Sequence, residues 1–140
     1  MSAPGPGTRW GVTLLRVAVA SVFVVHGTAR AAVGGVDPFG AFLSSAGLPG
    51  GVVIAWLLTL VEIVGGITLA LGVAVRFLAA WFGVQIAAGI AMVHAQAGWF
   101  VVGLGRNGAE YSALIVICLA VVALTDAASY AVRRPSEVDR

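Results

Sequence analysis

Residues 52–71 read VVIAWLLTLVEIVGGITLAL and contain a single charged residue, Glu62, near the middle of the stretch. A helix of about 20 apolar residues crosses the hydrocarbon core of a bilayer. Glu62 would then lie near the midplane, where an ionised carboxylate costs roughly 2.5–3.5 kcal/mol or more. Such a residue normally faces the interior of a helix bundle and has a polar partner there. This stretch therefore predicts a membrane-spanning helix with an inward-facing carboxylate.

The composition of the whole chain agrees with a membrane location. Of its 140 residues, 60% are hydrophobic and 10% are charged, and the mean hydropathy is +1.03. Soluble domains are about 45–50% apolar and 25% charged, so we expect a one-domain, all-α integral membrane protein. The net charge of +2 is too small and dispersed for nucleic-acid binding. The lone Cys118 allows no intrachain disulfide and is expected to be an inert apolar side chain.

The apolar runs predict a bundle of four transmembrane helices. The spans are expected at about 11–33, 52–72, 76–96 and 110–131, within a membrane domain of residues 11–131. Residues 1–10 are predicted to form a disordered tail, and residues 132–140 a cytoplasmic tail. Arg16, the apolar run after it and the small residues around Arg30 also resemble a signal peptide. Because three further spans follow, an uncleaved helix is the preferred interpretation.

The segment between the first two spans is expected to contain a short interfacial helix. Asp37 is a suitable N-cap, Pro38 suits the first helical position, and Gly47 with Pro49 favours a stop. One face of this helix would hold Phe39, Phe42 and Leu43, which is typical of a helix lying in the membrane interface.

The third span carries small residues at a spacing of four, which favours close packing against another helix. They are Ala79, Gly83, Ala87, Ala91 and Ala95. Gln85 on the same span is polar at mid-depth and is expected to have a hydrogen-bond partner.

The distribution of arginine predicts the orientation of the protein in the cell membrane. Cytoplasmic loops carry an excess of basic residues. With both termini in the cytoplasm, only Arg106 and, at the edge of a span, Arg30 lie on the other side. The cytoplasmic set is then Arg9, Arg76, Arg133, Arg134 and Arg140. We therefore expect a multi-pass protein with both termini in the cytoplasm.

Depth along each span, at about 1.5 Å of rise per residue, sorts the remaining polar residues into two layers. Arg16 and Asp126, about 6–8 Å from the cytoplasmic boundary, would form a structural pair or extend to the headgroups. The other layer lies in the outer half of the membrane and contains His26, Arg30, His94, Glu110 and Tyr111. Glu62 lies between the layers, and we expect its hydrogen-bond donor to be His26 or Arg16.

Three other patterns were weighed against this interpretation. Residues 103–108, GLGRNG, match the dinucleotide-binding pattern, but no strand or βαβ unit accompanies them. His26 and His94 could hold a haem between two helices, although nothing else in the sequence favours this. No metal site is expected. His94 and the aromatic residues near it could equally be ordinary interface residues.

The order of several short motifs resembles the DoxX family of membrane proteins, over about residues 11–126. The motifs are LLR at 14–16, HG at 26–27, GAFLSSAGLP at 40–49, EIVGG at 62–66, LG at 71–72 before Arg76, and EY at 110–111. The resemblance implies a four-helix membrane fold. It also marks as family positions Arg16, His26, Gly27, Glu62, Gly65, Gly66, Glu110 and Tyr111. Members often have lysine where this chain has Arg30.

The resemblance leaves two function classes open. The family takes its name from a subunit of a thiosulfate:quinone oxidoreductase, and relatives are tied to redox complexes, oxidative-stress defence and, more distantly, membrane-protein maturation. One class is a membrane subunit of a quinone-linked redox system, with Glu62 and His26 at the site and Glu110 with Tyr111 gating it. In this reading Arg30 and His94 also contribute to quinone binding.

The other class is a non-catalytic accessory or assembly protein that docks and stabilises another membrane-associated protein. A transporter is a weaker third possibility, because four short spans show little internal symmetry. The sequence contains no flavin, nicotinamide or cluster motif, so a redox role requires a redox-protein partner. A homo-oligomer is also compatible with the sequence.

Overall fold

The structure is a computed structural model that describes residues 5–102 and 107–133, with residues 127–133 as backbone only. The described part is 82% helical and contains no strand. Five helices follow one another, and a short π-helical turn at Ile90–His94 interrupts the fourth. They are α1 at Pro6–Ala32, α2 at Val36–Ser45, α3 at Gly51–Ala70, α4 at Val75–Ala97 and α5 at Glu110–Arg133. The predicted all-α membrane architecture is confirmed.

Three of these helices, α1, α3 and α4, are long and apolar enough to cross a membrane. The predicted fourth span coincides with α5, a helix of 24 residues whose side chains are described as far as Asp126. Its crossing of the membrane, and the orientation of the termini, stay predictions. Helix α1 begins at Pro6 and not at residue 11, because proline is well suited to the first turn of a helix, where its missing N–H costs nothing. The predicted disordered tail therefore contains the first turns of α1.

Helix α2 forms where it was predicted, but Asp37 is not its N-cap. The cap residue is Gly35, no side chain caps the helix, and Asp37 lies in the first turn. A carboxylate in the first turn still interacts favourably with the positive end of the helix dipole. The helix ends at Ser45, just before Gly47, as predicted. Its buried face holds Val36, Gly40 and Leu43, whereas Phe42 is 38% exposed, so the predicted apolar face is only partly correct.

The described chain divides into two compact units, which we describe separately. Residues 17–73 form the first unit, and residues up to Arg16 together with those from Ala74 onward form the second. The first unit contains most of α1, all of α2 and all of α3. The second contains the start of α1, α4 and α5.

In the first unit, α1 and α3 pack closely through glycine. A Cβ atom added at Gly27 would lie 2.9 Å from Cβ of Glu62 and 3.0 Å from the carbonyl oxygen of Thr59. At Gly66 it would lie 2.7 Å from Cγ2 of Val24. Small residues at such crossings let two helix backbones approach each other, which is how membrane helices gain packing energy. These two contacts also show that α1 and α3 run antiparallel.

Helix α2 packs against the beginning of α3. A Cβ atom added at Gly40 would lie 2.8 Å from the backbone nitrogen of Val52, and one at Gly51 would collide with the carbonyl oxygen of Gly40. Gly27 lies level with Glu62, and the two helices are antiparallel. Measured along the helix axis, the last residue of α1, Ala32, therefore lies about 8 Å short of the level at which α3 begins. Helix α2 and the residue before it contact the end of α1 through Arg30, at Phe39 and Gly35.

In the second unit, α4 packs on α5, with Ala79 and Phe82 buried on α4 and Leu119 and Val122 buried on α5. The predicted ridge of small residues on α4 is not a close-packed seam along its length. Ala79 is buried, but a Cβ atom added at Gly83 would meet nothing within 4 Å. The later members Ala87, Ala91 and Ala95 are exposed.

Candidate functional site

The first unit contains a buried ion pair between α1 and α3. Nη2 of Arg30 lies 3.2 Å from Oε1 of Glu62, in a hydrogen bond, and 3.1 Å from Oε2. The side chain of Glu62 is 4% exposed and that of Arg30 is 12% exposed. Both charges are therefore removed from solvent and neutralised by each other in the membrane-embedded part of the chain.

A buried hydroxyl extends the pair along α3. Nη1 of Arg30 donates to Oγ1 of Thr59 at 3.0 Å, and Oγ1 of Thr59 in turn donates to the carbonyl oxygen of Ala55 at 2.7 Å. Thr59 is fully buried. Thr59 and Glu62 are three residues apart and so lie on one face of the helix. A single guanidinium group thus contacts two consecutive polar positions on α3.

Helix α2 and the turn before it complete the surroundings of Arg30. Its Cζ lies 4.5 Å from the centroid of the Phe39 ring, which is a cation–π contact. Its carbonyl oxygen accepts a hydrogen bond from the backbone N–H of Gly35 at 2.8 Å. We refer to Arg30, Phe39, Thr59 and Glu62 together as the Arg30 centre. Three helices, α1, α2 and α3, each contribute to it.

The prediction that Glu62 faces inward and has a polar partner on another helix is confirmed. One donor to it is Arg30, a residue that was expected in the outer layer but not as the partner of Glu62. His26 is exposed and makes no hydrogen bond or ion pair within the described residues. His26 and Arg30 lie one turn apart on α1, but Gly27 occupies the position facing Glu62. A long guanidinium side chain can reach around the helix to α3, whereas an imidazole cannot.

The second unit holds His94 and Glu110 in a different environment. Nδ1 of His94 lies 2.8 Å from the carbonyl oxygen of Asn107, and Oε1 of Glu110 accepts the backbone N–H of Val101 at 2.8 Å. Backbone bonds from Ala109 to Gly98 and from Glu110 to Trp99 hold the same loop. Glu110 therefore stabilises the loop that follows α4 by accepting a hydrogen bond from its backbone at Val101. Tyr111 is 51% exposed beside it.

Arg16 and Asp126 also belong to the second unit, where both are half-buried. Their pairing stays a prediction. The predicted site residues are thus divided between the two units. The first unit brings Arg30 and Glu62 together, and the second holds Arg16, His94, Glu110, Tyr111 and Asp126.

Thr59 and Phe39 were not among the predicted site residues, and Arg30 was not predicted to contact Glu62 directly. Thr59 carried a usable signal, since it is a polar residue one turn before Glu62 in an apolar span. Phe39 carried none, because its contact depends on how α2 lies over the end of α1.

The Arg30 centre combines groups that can act on a ligand oxygen. Arginine has five N–H donors in a planar fork and stays protonated. The contacts described above engage only Nη1 and Nη2. The carboxylate beside it can accept a proton or a hydrogen bond. In a site excluded from water such contacts are stronger than in solution.

Comparison with known proteins identifies the family to which the chain belongs. The model of the DoxX family matches residues 11–95, which is more than half of the chain and includes the whole Arg30 centre. Glu110 and Tyr111 lie outside the matched range. No curated protein and no solved structure matches the chain significantly. The family match and the helical membrane architecture agree, and the chain belongs to the DoxX family.

Proposed function

We propose that this protein is a membrane-embedded subunit of a quinone-linked redox system and that the Arg30 centre is the polar part of its quinone site. The observation that carries the proposal is the ion pair between Arg30 and Glu62, buried at the middle of a membrane span. Ionisable residues at such a depth are costly and usually serve substrates, ions or protons. Residues 11–95, the part that matches the family, contain every member of the centre.

The chemistry of a quinone fits the groups present. A quinone carbonyl needs a hydrogen-bond donor, and reduction to the quinol takes up two electrons and two protons. Arg30 would donate a hydrogen bond to a carbonyl oxygen, and the Phe39 ring would border the apolar ring of the ligand. Glu62 would take up protons that originate in water and pass them, one after the other, to the two quinone oxygens. The sequence has no flavin, nicotinamide or cluster motif, so the electrons would come from a partner redox protein.

The proposed site is smaller than the one expected from the sequence. His26 lies at the depth of Glu62 but on the exposed side of α1, so the proposal does not place it beside the quinone oxygens. The carboxylate of Glu110 is held by the N–H of Val101, and the proposal gives it no gating role. Thr59 takes a place in the site because it positions the guanidinium of Arg30.

A second function, an accessory subunit that docks and stabilises another membrane-associated protein, is favoured by one observation. Arg30 and Glu62 form an ion pair, and the centre joins three helices of the first unit. A pair of this kind can serve to fix a single arrangement of helices. The first unit would then be a rigid docking module without a reaction of its own.

The two functions predict different effects of the same variants. The protein is expressed in its native membrane and extracted in polymer-bounded lipid discs, which keep its partners and lipids. Bound quinone is measured by mass spectrometry, and turnover by reduction of a short-chain quinone in the same membranes. The variants are Glu62→Gln, which keeps the size of the side chain, and Arg30→Lys, which keeps its charge. Arg76→Gln, at an exposed position on α4, is the matched control.

For a redox subunit, Glu62→Gln assembles normally and lowers turnover by about a hundredfold, the usual contribution of a proton-transfer group. Arg30→Lys lowers the amount of bound quinone. For an accessory subunit, both variants instead reduce the amount of co-purified partner, and turnover per assembled complex is unchanged. Normal assembly together with unchanged turnover and unchanged bound quinone in both variants refutes the redox function.

A further inference from the structure

The segment that follows α4 exposes a continuous run of large apolar side chains. Residues 97–105 read AGWFVVGLG and contain no charged, hydroxyl or amide side chain. Four consecutive residues in this segment are exposed, namely Trp99, Phe100, Val101 and Val102. Connecting segments in water are usually rich in polar residues, and an exposed apolar patch normally marks a contact surface. We call residues 99–102 the Trp99 loop.

The polar backbone groups of this segment are paired with the beginning of α5. The carbonyl oxygens of Gly98 and Trp99 accept the N–H groups of Ala109 and Glu110, each at 3.0 Å. The N–H groups at the start of a helix have no partner within that helix. In return, Oε1 of Glu110 accepts the N–H of Val101 at 2.8 Å. The loop is therefore held to α5 through polar groups, while its apolar side chains stay exposed.

Gly108 lets the loop lie directly against the start of α5. A Cβ atom added at Gly108 would collide with the carbonyl oxygen of Phe100 and with the backbone of Trp99. This close packing and the hydrogen bonds to α5 fix the conformation of the loop. A surface that is ordered in advance loses little conformational freedom when it makes a contact.

The position of the loop along the chain places it at a boundary of the membrane. Helix α4 has 23 residues and is apolar enough to span a bilayer. Its length of about 34 Å is close to the roughly 30 Å of the hydrocarbon core. The Trp99 loop follows directly after its end at Ala97. Tryptophan is enriched at this level of a membrane, because its ring is apolar and its N–H is polar.

We infer that the Trp99 loop is inserted into the interface of the bilayer, where its side chains contact lipid. Backbone groups withdrawn from water need partners within the protein, and the hydrogen bonds to α5 supply them at Gly98, Trp99 and Val101. A protein partner is normally recognised by polar groups around apolar anchors, which the side chains of residues 97–105 do not offer. The inference is independent of the proposed redox function, because it uses none of the Arg30 centre.

Spin labels on the full chain in phosphatidylcholine vesicles test the inference. With Cys118→Ser as the background, Phe100→Cys and Val102→Cys each carry a nitroxide. Relaxation of the nitroxide is measured with oxygen, which concentrates in lipid, and with a nickel chelate, which stays in water. Val84, exposed near the middle of α4, is the lipid reference, and Asp37, exposed in the first turn of α2, is the water reference.

The three possible surroundings of the loop give different results. For lipid, we expect stronger relaxation by oxygen than at Asp37 and loss of most of the relaxation by nickel, as at Val84. Relaxation by nickel as strong as at Asp37 would place the loop in water and overturn the inference. Weak relaxation by both reagents would mean that a second copy or another protein covers the loop, which also overturns it. Unchanged helical content and elution volume show that each labelled protein is folded.

A second measurement uses the native tryptophan and needs no label. Replacement of the other three tryptophans by phenylalanine, at Trp10, Trp56 and Trp81, leaves Trp99 as the source of all tryptophan emission. The protein is placed in vesicles of phosphatidylcholine with or without bromine on the acyl chains near the headgroup. Because bromine quenches only on close contact, we expect loss of most of the emission in the brominated vesicles. Emission that is equal in both kinds of vesicle would overturn the inference.

Discussion

Replacing Arg30 with methionine removes one charge of the buried pair and leaves the other in place. Three polar contacts are lost, two to the carboxylate of Glu62 and one to Thr59. Glu62 is 3% exposed, so its charge cannot recover hydration without opening the packing of α1 on α3. Removal of one partner from a buried ion pair typically costs about 3–5 kcal/mol of unfolding free energy. We expect Arg30→Met to fall in this range.

Replacing both charged residues should cost much less than the sum of the two single changes. A well-packed apolar pair in place of a buried ion pair is often neutral or stabilising. In Arg30→Met with Glu62→Leu, the two charges are removed together and no uncompensated charge of this pair stays behind. We therefore expect the double variant to be at least about 2 kcal/mol more stable than the two single losses would predict if they were additive.

The assay is reversible unfolding in mixed micelles with increasing dodecyl sulfate, followed by tryptophan fluorescence. The unfolding free energy is measured for the wild type, both single variants and the double variant. Arg76→Met is the control, because Arg76 is exposed at the start of α4, and it should change stability by less than about 0.5 kcal/mol. Single variants as stable as this control, or a double variant with strictly additive losses, would refute the reasoning.

Three further predictions follow from other parts of the chain. Gly27→Ala should lower the unfolding free energy by about 1–3 kcal/mol, because the added methyl group meets Glu62. Gly83→Ala, in the same assay, should be neutral or slightly stabilising, since its Cβ meets nothing. Glu110→Ala should speed hydrogen exchange of the Val101 amide about fivefold, because a hydrogen bond worth about 1 kcal/mol is lost. Glu110→Gln keeps an acceptor oxygen and should largely preserve the protection of this amide. For the topology, single cysteines replace Ser2, Asp37, Arg106 and Glu137 and are treated with an impermeant thiol reagent. In intact cells we expect labelling at positions 37 and 106 and none at positions 2 and 137, which would show that both termini are inside. Labelling of position 37 only after lysis would contradict this.

The long helices could be predicted because their sequence signal is strong. An apolar run of about 20 residues has few alternatives to a spanning helix, so α3 lies within one or two residues of its predicted bounds. Details that depend on single residues were less predictable. Gly35 and not Asp37 caps α2, and α1 begins at Pro6. The π-helical turn at Ile90–His94 follows from no rule that could be applied to the sequence.

The inward position of Glu62 was predictable because a carboxylate facing lipid would be too costly. Its partner was not predictable, because depth alone does not fix how α1 is rotated toward α3. The contacts at Gly27 and Gly66 set that rotation, and they turn His26 outward. Estimates of depth also ignored side-chain length. Arg30 lies almost a full turn from Gly27 along α1, yet its guanidinium reaches Glu62.

The position of α2 links these observations. Helix α1 ends at Ala32, close to the level of the ion pair, and there the carbonyl groups of its last turn favour a nearby positive charge. The close approach at Gly40 lets α2 lie against α3, and the Phe39 ring then lies over the guanidinium of Arg30. The segment that the sequence marks as an interfacial helix is therefore part of the candidate site, because it supplies the aromatic ring beside the charge pair.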